Sequence, residues 1–413
     1  MTLWNPIWRI LINGQTLTSV TLTNLTITSG RQDINSPTPP GYCSLQILNT
    51  NAINYDFTIN NPVTIEVQDS SGNYVAIFGG RISDLAQVVQ SSGSNATITS
   101  LKITAVGALS KLQRAIFDGN LAEALDGAQI TNLLDELLLD SWNEIPPAET
   151  WATYDALETW AQAGNIGLGT IDAGDYTMTS RQITDAVIAP IANEIANSAL
   201  GYLYEDANGL IGYADASHRQ DYVVANGYTD LDARQAIASG IGVIQRQGDI
   251  ANKITMDYGN NSSYTAEDAQ SQSTFGLFAE QFTSFLKNAA DVEDVADRLI
   301  ALRAWPRNTF QSITFPLQSP EIDNVDRDAL LNIFMGQPVR ITNLPINILG
   351  GEFTGFIEGW TFSASVSGLY VTFLATPTEF SAVAQQWAQV NAAESWNSVL
   401  NTLEWQEAIG VIS

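Results

Sequence analysis

The stretch NPVTIEV (residues 61–67), followed by FGGRISDL (78–85) and ATITSLKITAVG (96–107), is echoed near the other end of the chain. The echo runs QPVRITN (337–343), FTGFIEGW (353–360) and LYVTFLATP (369–377). Each version begins a strand at a Pro-Val pair, Pro62-Val63 and Pro338-Val339. Each carries a Gly-x-Ile step at nearly the same distance downstream, Gly80-Arg81-Ile82 and Gly355-Phe356-Ile357. Each ends in an alternating strand. Side chains of a strand point to opposite faces in turn, so alternation buries one face and leaves the other polar. Convergent patterning gives such an echo cheaply in a Thr-rich protein. The sharper reading is two copies of one small β-barrel with a different domain between them. Both readings stay open here.

Around the first copy the chain is strand-rich. IWRILING ends in a turn at Asn13-Gly14, LTSVTLTNLTITSG alternates apolar residues with Thr, and GYCSLQILN is a further short strand. Ser70, Ser71, Gly72 and Asn73 mark the turn of a hairpin. Around the second copy, NTFQSITFPLQ (308–318) is a strand, and RDALLNIFMGQPVRITNLP (327–345) is a short helix running into one.

The middle changes character. QITNLLDELLLDSW (129–142) has helical spacing, with Thr131 as its expected cap. TSRQITDAVIAPIANEIANSAL (179–200) is predicted to be a second helix, kinked at Pro190. GYLYEDANGLIGYAD is a hairpin across Asp206, Ala207, Asn208 and Gly209, and ANKITMDYG is a strand. TAEDAQSQSTFGLFAEQF (265–282) and DVEDVADRLIALRAW (291–305) are predicted helices. The expected class is α+β, β-rich, with two small β-barrels flanking an α+β insertion. The expected divisions are residues 1–115, 116–305, 306–380 and a C-terminal Trp-repeat extension, 381–413.

Six of the ten tryptophans form two triplets with nine-residue spacing: Trp142, Trp151 and Trp160 within 141–163, then Trp387, Trp396 and Trp405. Nine residues are two and a half helical turns, and nine is odd for a strand, so one unbroken element cannot show all three on one face. Each nine-mer is therefore expected to contain a bend, or its Trp residues serve different neighbours. The six are candidate protein-interface residues, because buried Trp often dominates interfaces. Packing on their own domain is the competing reading.

Composition narrows the function. The chain has 413 residues, 45% of them hydrophobic and only 15% charged, with a net charge of −27. That length accommodates about two to four domains. Such acidity argues against a surface built to grip nucleic-acid phosphates, but suits a wall that DNA slides past. Cys43 is the only cysteine, so neither an intrachain disulfide nor a multi-Cys metal site can form. No signal-peptide pattern and no apolar run of membrane-spanning length is present, so no membrane span and assembly in the cytoplasm are expected.

Catalytic patterns are sparse. The only histidine, His218, follows Ser217, and adjacent residues do not normally face each other for proton transfer. His218 is expected to be a surface residue of a polar loop. Glu144, Glu149, Asp155 and Glu158 lie among the first tryptophans and evoke a sugar platform. A solvated acidic face is the plainer reading. GNIGLGTIDAG (164–174) lacks the Lys-Ser/Thr of a phosphate loop and is predicted to be a flexible loop. EDANG and QDSSGN lack calcium-loop spacing and are expected to be hairpin turns. No catalytic residue, cofactor or metal is expected.

The order GRISDL, an α+β middle, GQPVRIT and GFIEGWTFS resembles the tail-hub proteins of tailed bacteriophages, particularly minor tail proteins of long non-contractile tails. It is similar in architecture to baseplate hubs of contractile phages and to type VI secretion spike hubs. The resemblance covers residues 1–115 and 305–380 and, loosely, the middle. It implies a homotrimer in the virion tail, forming a pseudo-hexameric ring. The implied partners are a distal tail protein or tail tube, the tape-measure protein, and tip fibres or a spike, with no sequence-specific nucleic-acid binding. A carbohydrate-binding or carbohydrate-cleaving tail protein and a hexameric distal tail protein are the alternatives.

Overall fold

In the computed structural model, the two echoed stretches form two halves of one sheet. The structure describes residues 4–139 and 167–378, apart from 19, 35, 51–52, 91–97, 238–240, 260–261 and 366–367, together with 384–386 and 409–411. The first half comprises β1 (Trp8–Ile12), β2 (Gln15–Thr16), β3 (Val20–Gly30), β4 (Tyr42–Asn49), β5 (Pro62–Gln68), β6 (Tyr74–Val89) and β7 (Thr99–Val106). The insertion begins with β8 (Ile116–Leu121), β9 (Ala124–Leu125), α1 (Asp126–Leu139), β10 (Gly167–Ile171), β11 (Thr177–Met178) and β12 (Arg181–Val187). It continues with α2 (Ile188–Ser198), β13 (Tyr202–Glu205), β14 (Leu210–Ala214), α3 (His218–Asn226), β15 (Thr229–Asp232) and β16 (Gly242–Ile244). Then come β17 (Lys253–Tyr258), β18 (Ser262–Glu267), α4 (Ala269–Phe275), β19 (Ala279–Thr283) and α5 (Ala289–Arg303). The second half holds β20 (Thr309–Pro316), α6 (Asn324–Leu331), β21 (Pro338–Thr342), β22 (Phe353–Ser365) and β23 (Gly368–Pro377). A short antiparallel pair, β24 (Ala384–Gln386) and β25 (Ile409–Val411), lies in the C-terminal extension.

The large sheet has 13 strands in the order β16-β20-β23-β22-β3-β4-β7-β6-β5-β1-β2, with β21 also on β22 and β15 on β21. The two expected barrels are thus two halves of one open sheet, and no run of strands closes on itself among the described residues. Strands β15 and β16, from the region expected to be a separate middle, belong to this sheet.

The echo holds in detail. Val63 pairs with Gly80, and Val339 pairs with Gly355. Left-handed backbone precedes both Pro-Val strands, at Asn60 (φ 73°) and Gly336 (φ 85°). Asn60 N–H donates to Ile82 O at 2.8 Å, and Gly336 N–H donates to Ile357 O at 2.7 Å. The next strands then break register at one matched place, between Ile82 and Asp84 and between Ile357 and Gly359. Beyond that bulge, Leu85 faces Ile103 as Trp360 faces Phe373. Bulges re-aim a strand and are built features, so two in one place mark one design used twice. The outermost strands differ: β1 runs antiparallel to β5, whereas β15 runs parallel to β21.

Alternation builds the core as expected. Leu25 and Ile27 of β3, Cys43, Leu45 and Ile47 of β4, and Phe362 and Val371 of β22 and β23 are fully or almost fully buried on one face. A second core fills the insertion, from Leu133 and Leu134 of α1, Ile191 and Ile195 of α2, Ile254 of β17 and Val292 and Val295 of α5.

Four local expectations are corrected. Helix α1 begins at Asp126, and the Thr131 hydroxyl donates to the Gly127 carbonyl inside it rather than capping it. Residues 181–187 are strand β12, bulged near Asp185 (φ 44°), and only 188–198 are helix. Pro190 sits in the first turn of α2, where its missing N–H costs nothing, so no kink follows. The N–H groups of Ile188 and Ala189 are used instead by Ala115 O and Leu112 O, both at 3.0 Å. The Gly-rich segment supplies β10, held parallel to β14. The predicted helix at 265–282 shrinks to α4, flanked by β18 and β19, and begins where the Asp268 carboxylate accepts from Ser271 N–H.

Candidate functional site

The two halves meet at a seam between β3 and β22, where Gly30 faces Gly359. The backbones approach so closely that a Cβ on Gly30 would overlap the Glu358 carbonyl, and one on Gly359 the Arg31 carbonyl. Gly30 also has φ 78°, which a side chain rarely adopts.

Beside the glycines lies a buried ionic knot. Arg219 of α3 donates Nη1 to Glu358 Oε1 at 2.8 Å and Nη2 to Oε2 at 2.9 Å. Arg31 Nε donates to Oε2 at 2.8 Å, and the Thr376 hydroxyl to Oε1 at 2.5 Å. Both guanidinium groups lie against the Tyr202 ring, 5.0 and 4.9 Å from its centre. Burial opposes the charge on Glu358, but Arg219 and Arg31 outweigh it and hold the carboxyl down to about 2. Burial likewise opposes the charge of Arg219, which the Glu358 carboxylate more than restores. One carboxylate therefore fastens the first half, the second half and the insertion together.

The insertion is organised to present Arg219. The Asp215 carboxylate accepts from Ser217 and His218 N–H at 3.2 and 3.0 Å, fixing the turn that leads into α3. His218 Nδ1 lies 2.7 Å from Asp172 Oδ2, so the histidine is a paired, partly buried residue opening a helix rather than a loop residue. Ser217 Oγ donates to Asp215 Oδ1 at 3.0 Å and to Asp175, not to His218. A second tie joins the insertion to the first half. Glu205 accepts Gly41 N–H at 2.6 Å and Leu109 N–H at 2.9 Å. Burial pushes this carboxyl up to about 7, against both of those donors. A cavity of about 700 Å³ opens between sheet and insertion, lined in part by Arg31, Arg219, Trp360, Met256 and Leu299.

The face of the large sheet opposite the core is polar in three tiers. Tyr42, Thr28, Thr361, Thr372 and Thr314 follow one another across five strands. Thr104, Ser44, Thr26, Ser363 and Tyr370 form the next tier. Lys102, Gln46, Asn24 and Ser365 form the third. Hydroxyls bond across strands, with Thr314 Oγ1 2.8 Å from Thr372 Oγ1. Across these tiers Lys102 is the only charged side chain, with Asp84 beside Thr104 at the margin. Within these tiers the acidity of the chain is not expressed; Glu66 of β5 and Asp230 of β15 lie further out on the same face, each opposite an arginine.

The six candidate interface residues, Trp142, Trp151, Trp160, Trp387, Trp396 and Trp405, lie outside the described residues, as do Glu144, Glu149, Asp155 and Glu158. The two acidic turns are hairpin turns. Asp69 accepts Ser71 and Asn73 N–H, and Asp206 accepts Asn208 and Leu210 N–H. Among the described residues no cluster of His, Cys, Asp or Glu is placed to hold a metal, and no helix is long and apolar enough to cross a membrane. Sequence reasoning passed over Arg31, Arg219 and Glu358. The one available signal was a lone acid inside the otherwise uncharged run FTGFIEGW.

Two solved structures match this architecture over almost the whole chain. The tail protein from Neisseria meningitidis MC58 has a TM-score of 0.58 at 12% identity, covering 92% of this chain and 98% of its own. The 43 kDa tail protein of prophage MuSo2 from Shewanella oneidensis has a TM-score of 0.56 at 12% identity, covering 91% and 99%. The fold is that of phage tail proteins. No protein-family model matches the sequence, and no curated protein is significantly similar to it. The tail-protein fold accounts for both halves of the sheet and for the insertion, since the alignments run through all three.

Proposed function

We propose that this chain is a structural hub of a phage tail tip or baseplate, three copies of which form a ring with six similar β halves. The observation that carries the reading is the repeated half, matched in pairing, left-handed turn and bulge. Three chains with two such halves each present near-sixfold symmetry to one neighbour and threefold symmetry to another. The tail-protein fold supports the setting. In this reading residues 1–115 and 306–380 are the hub domains and the insertion braces them. The ring joins the tail tube or distal tail protein and the tape-measure end to tip fibres or a spike, and its channel passes DNA. The three polar tiers suit the channel wall, which is then hydroxyl-lined rather than acidic as net charge suggested. The role is assembly and passage, not catalysis. The Trp triplets serve as clasps to neighbouring chains. Copy number in isolated tail particles, by mass and image averaging, tests the proposal. Three copies per tip are expected, and a ring of six overturns it.

A further inference from the structure

The β3–β22 seam is an internal template for a contact the single chain leaves unmade. On β22, residues 359–364 hold β3 along one edge, with Gly359 opposite Gly30 and Phe362 opposite Ile27. The bulge correspondence makes residues 84–89 of β6 the counterparts of 359–364. Strand β5 covers β6 only as far as Arg81, and the matching edge of 84–89 carries no strand among the described residues. Ala86, Gln87, Val88 and Val89 are all exposed. At the other end of the sheet, β16 occupies the place of β3. Ile27 pairs with Cys43, which pairs with Ala105; Val243 pairs with Phe310, which pairs with Ala375. The outer edge of β16 is likewise without a strand among the described residues.

We infer that β6 residues 84–89 of one chain add antiparallel to β16 of a second copy, in the register of the internal seam. This rests on the ring reading above and names the surfaces that close it. Transferring the register puts Gln87 opposite Val243 of the partner subunit, and Val89 opposite Ile241 of the partner subunit. Val89 is 59% exposed in the single chain, and this contact gives it an apolar neighbour. The facing glycines of the seam become Asp84 opposite Arg246 of the partner subunit. Both are exposed and oppositely charged, in a chain with only 17 basic residues against 44 acidic. The internal seam needs glycines because its two backbones approach closely there, beside the ionic knot. The outer one has no such knot and uses a charge pair. Exposed strand edges invite strand addition, and here the two unlike edges fit each other.

The test uses the full chain in assembled tail particles. Cys43 is the only native cysteine and is buried, so introduced thiols report alone. Gln87→Cys with Val243→Cys should cross-link on mild oxidation into dimers and closed trimers, whereas either single variant should not. Asp84→Arg should lower ring yield about tenfold, as should Arg246→Asp, and the two together should restore it to within about threefold. Particles with three copies per tip, but no cross-link and no charge rescue, would overturn the proposed edges while leaving the ring standing. Particles with six copies or one would overturn the ring and the edge pairing together.

Discussion

Glu358 is the residue on which most of the architecture converges. Removing one partner of a buried ion pair strands the other charge, at a cost of about 3–5 kcal/mol. Glu358→Ala should therefore destabilise the chain by about that much, read by denaturant unfolding, because both Arg31 and Arg219 lose their acceptor. Its titration has a definite sign. Its pKa, lowered to about 2, adds stability that is complete above the unfolded value and is lost as pH falls toward 2. Glu205 has the opposite sign. Its pKa, raised to about 7, means the folded chain keeps a proton that the unfolded chain has released. Stability from this group thus falls as pH rises from about 4.5 through 7. Glu205→Gln should flatten the melting temperature between pH 5 and 8, and an unchanged slope would remove Glu205 from that role. Neither carboxylate could be assigned from sequence. Glu358 and Arg219 lie 139 residues apart, one on β22 and the other on α3 of the insertion. His218 was visible as the only histidine, but its partner Asp172 was not.

At the scale of elements, the seam is the sharpest constraint. Gly359→Val forces a side chain into the Arg31 carbonyl, and overpacking of this kind costs about 1–3 kcal/mol. Hydrogen exchange should show β3 and β22 losing protection while β17 and α5 keep theirs, because those pack in the separate insertion core. Uniform loss would show instead that the two cores unfold as one. The strands of both halves were legible because their alternation is local, and the echo alone marks which strands of the two halves correspond. Less was legible in the insertion. The run 181–187 alternates weakly, and it is a strand because β8 lies beside it. The Gly-rich run 167–171 is a strand for a similar reason, supplied by β14. Periodicity carries no record of such distant partners. The C-terminal part of 179–200 was legible as helix, and Pro190 misled only because its place in the first turn was unknown.

For the whole molecule, the proposed tryptophan clasp and the proposed edge pairing make separable predictions. Replacing Trp387, Trp396 and Trp405 together with alanine should leave a chain with wild-type melting behaviour that enters fewer rings, scored by copy number in tail particles. If the variant unfolds instead, those residues belong to a core. The sheet has a direction, because its order runs from β16 at one end to β2 at the other, and β5 leaves the 84–89 edge of β6 uncovered among the described residues. Contacts between unlike ends have polarity, and polarity leaves two outcomes. The turn made by each added chain either returns to the start and stops, or misses it and continues as a helical filament. In the proposed ring that turn depends in part on the Gly30–Gly359 crossing, where the two halves are joined. A small change there would act as a switch between a finite particle and an endless one. Filaments from a seam variant, rather than loose monomers, would be the signature of an angle altered while the edges stayed intact.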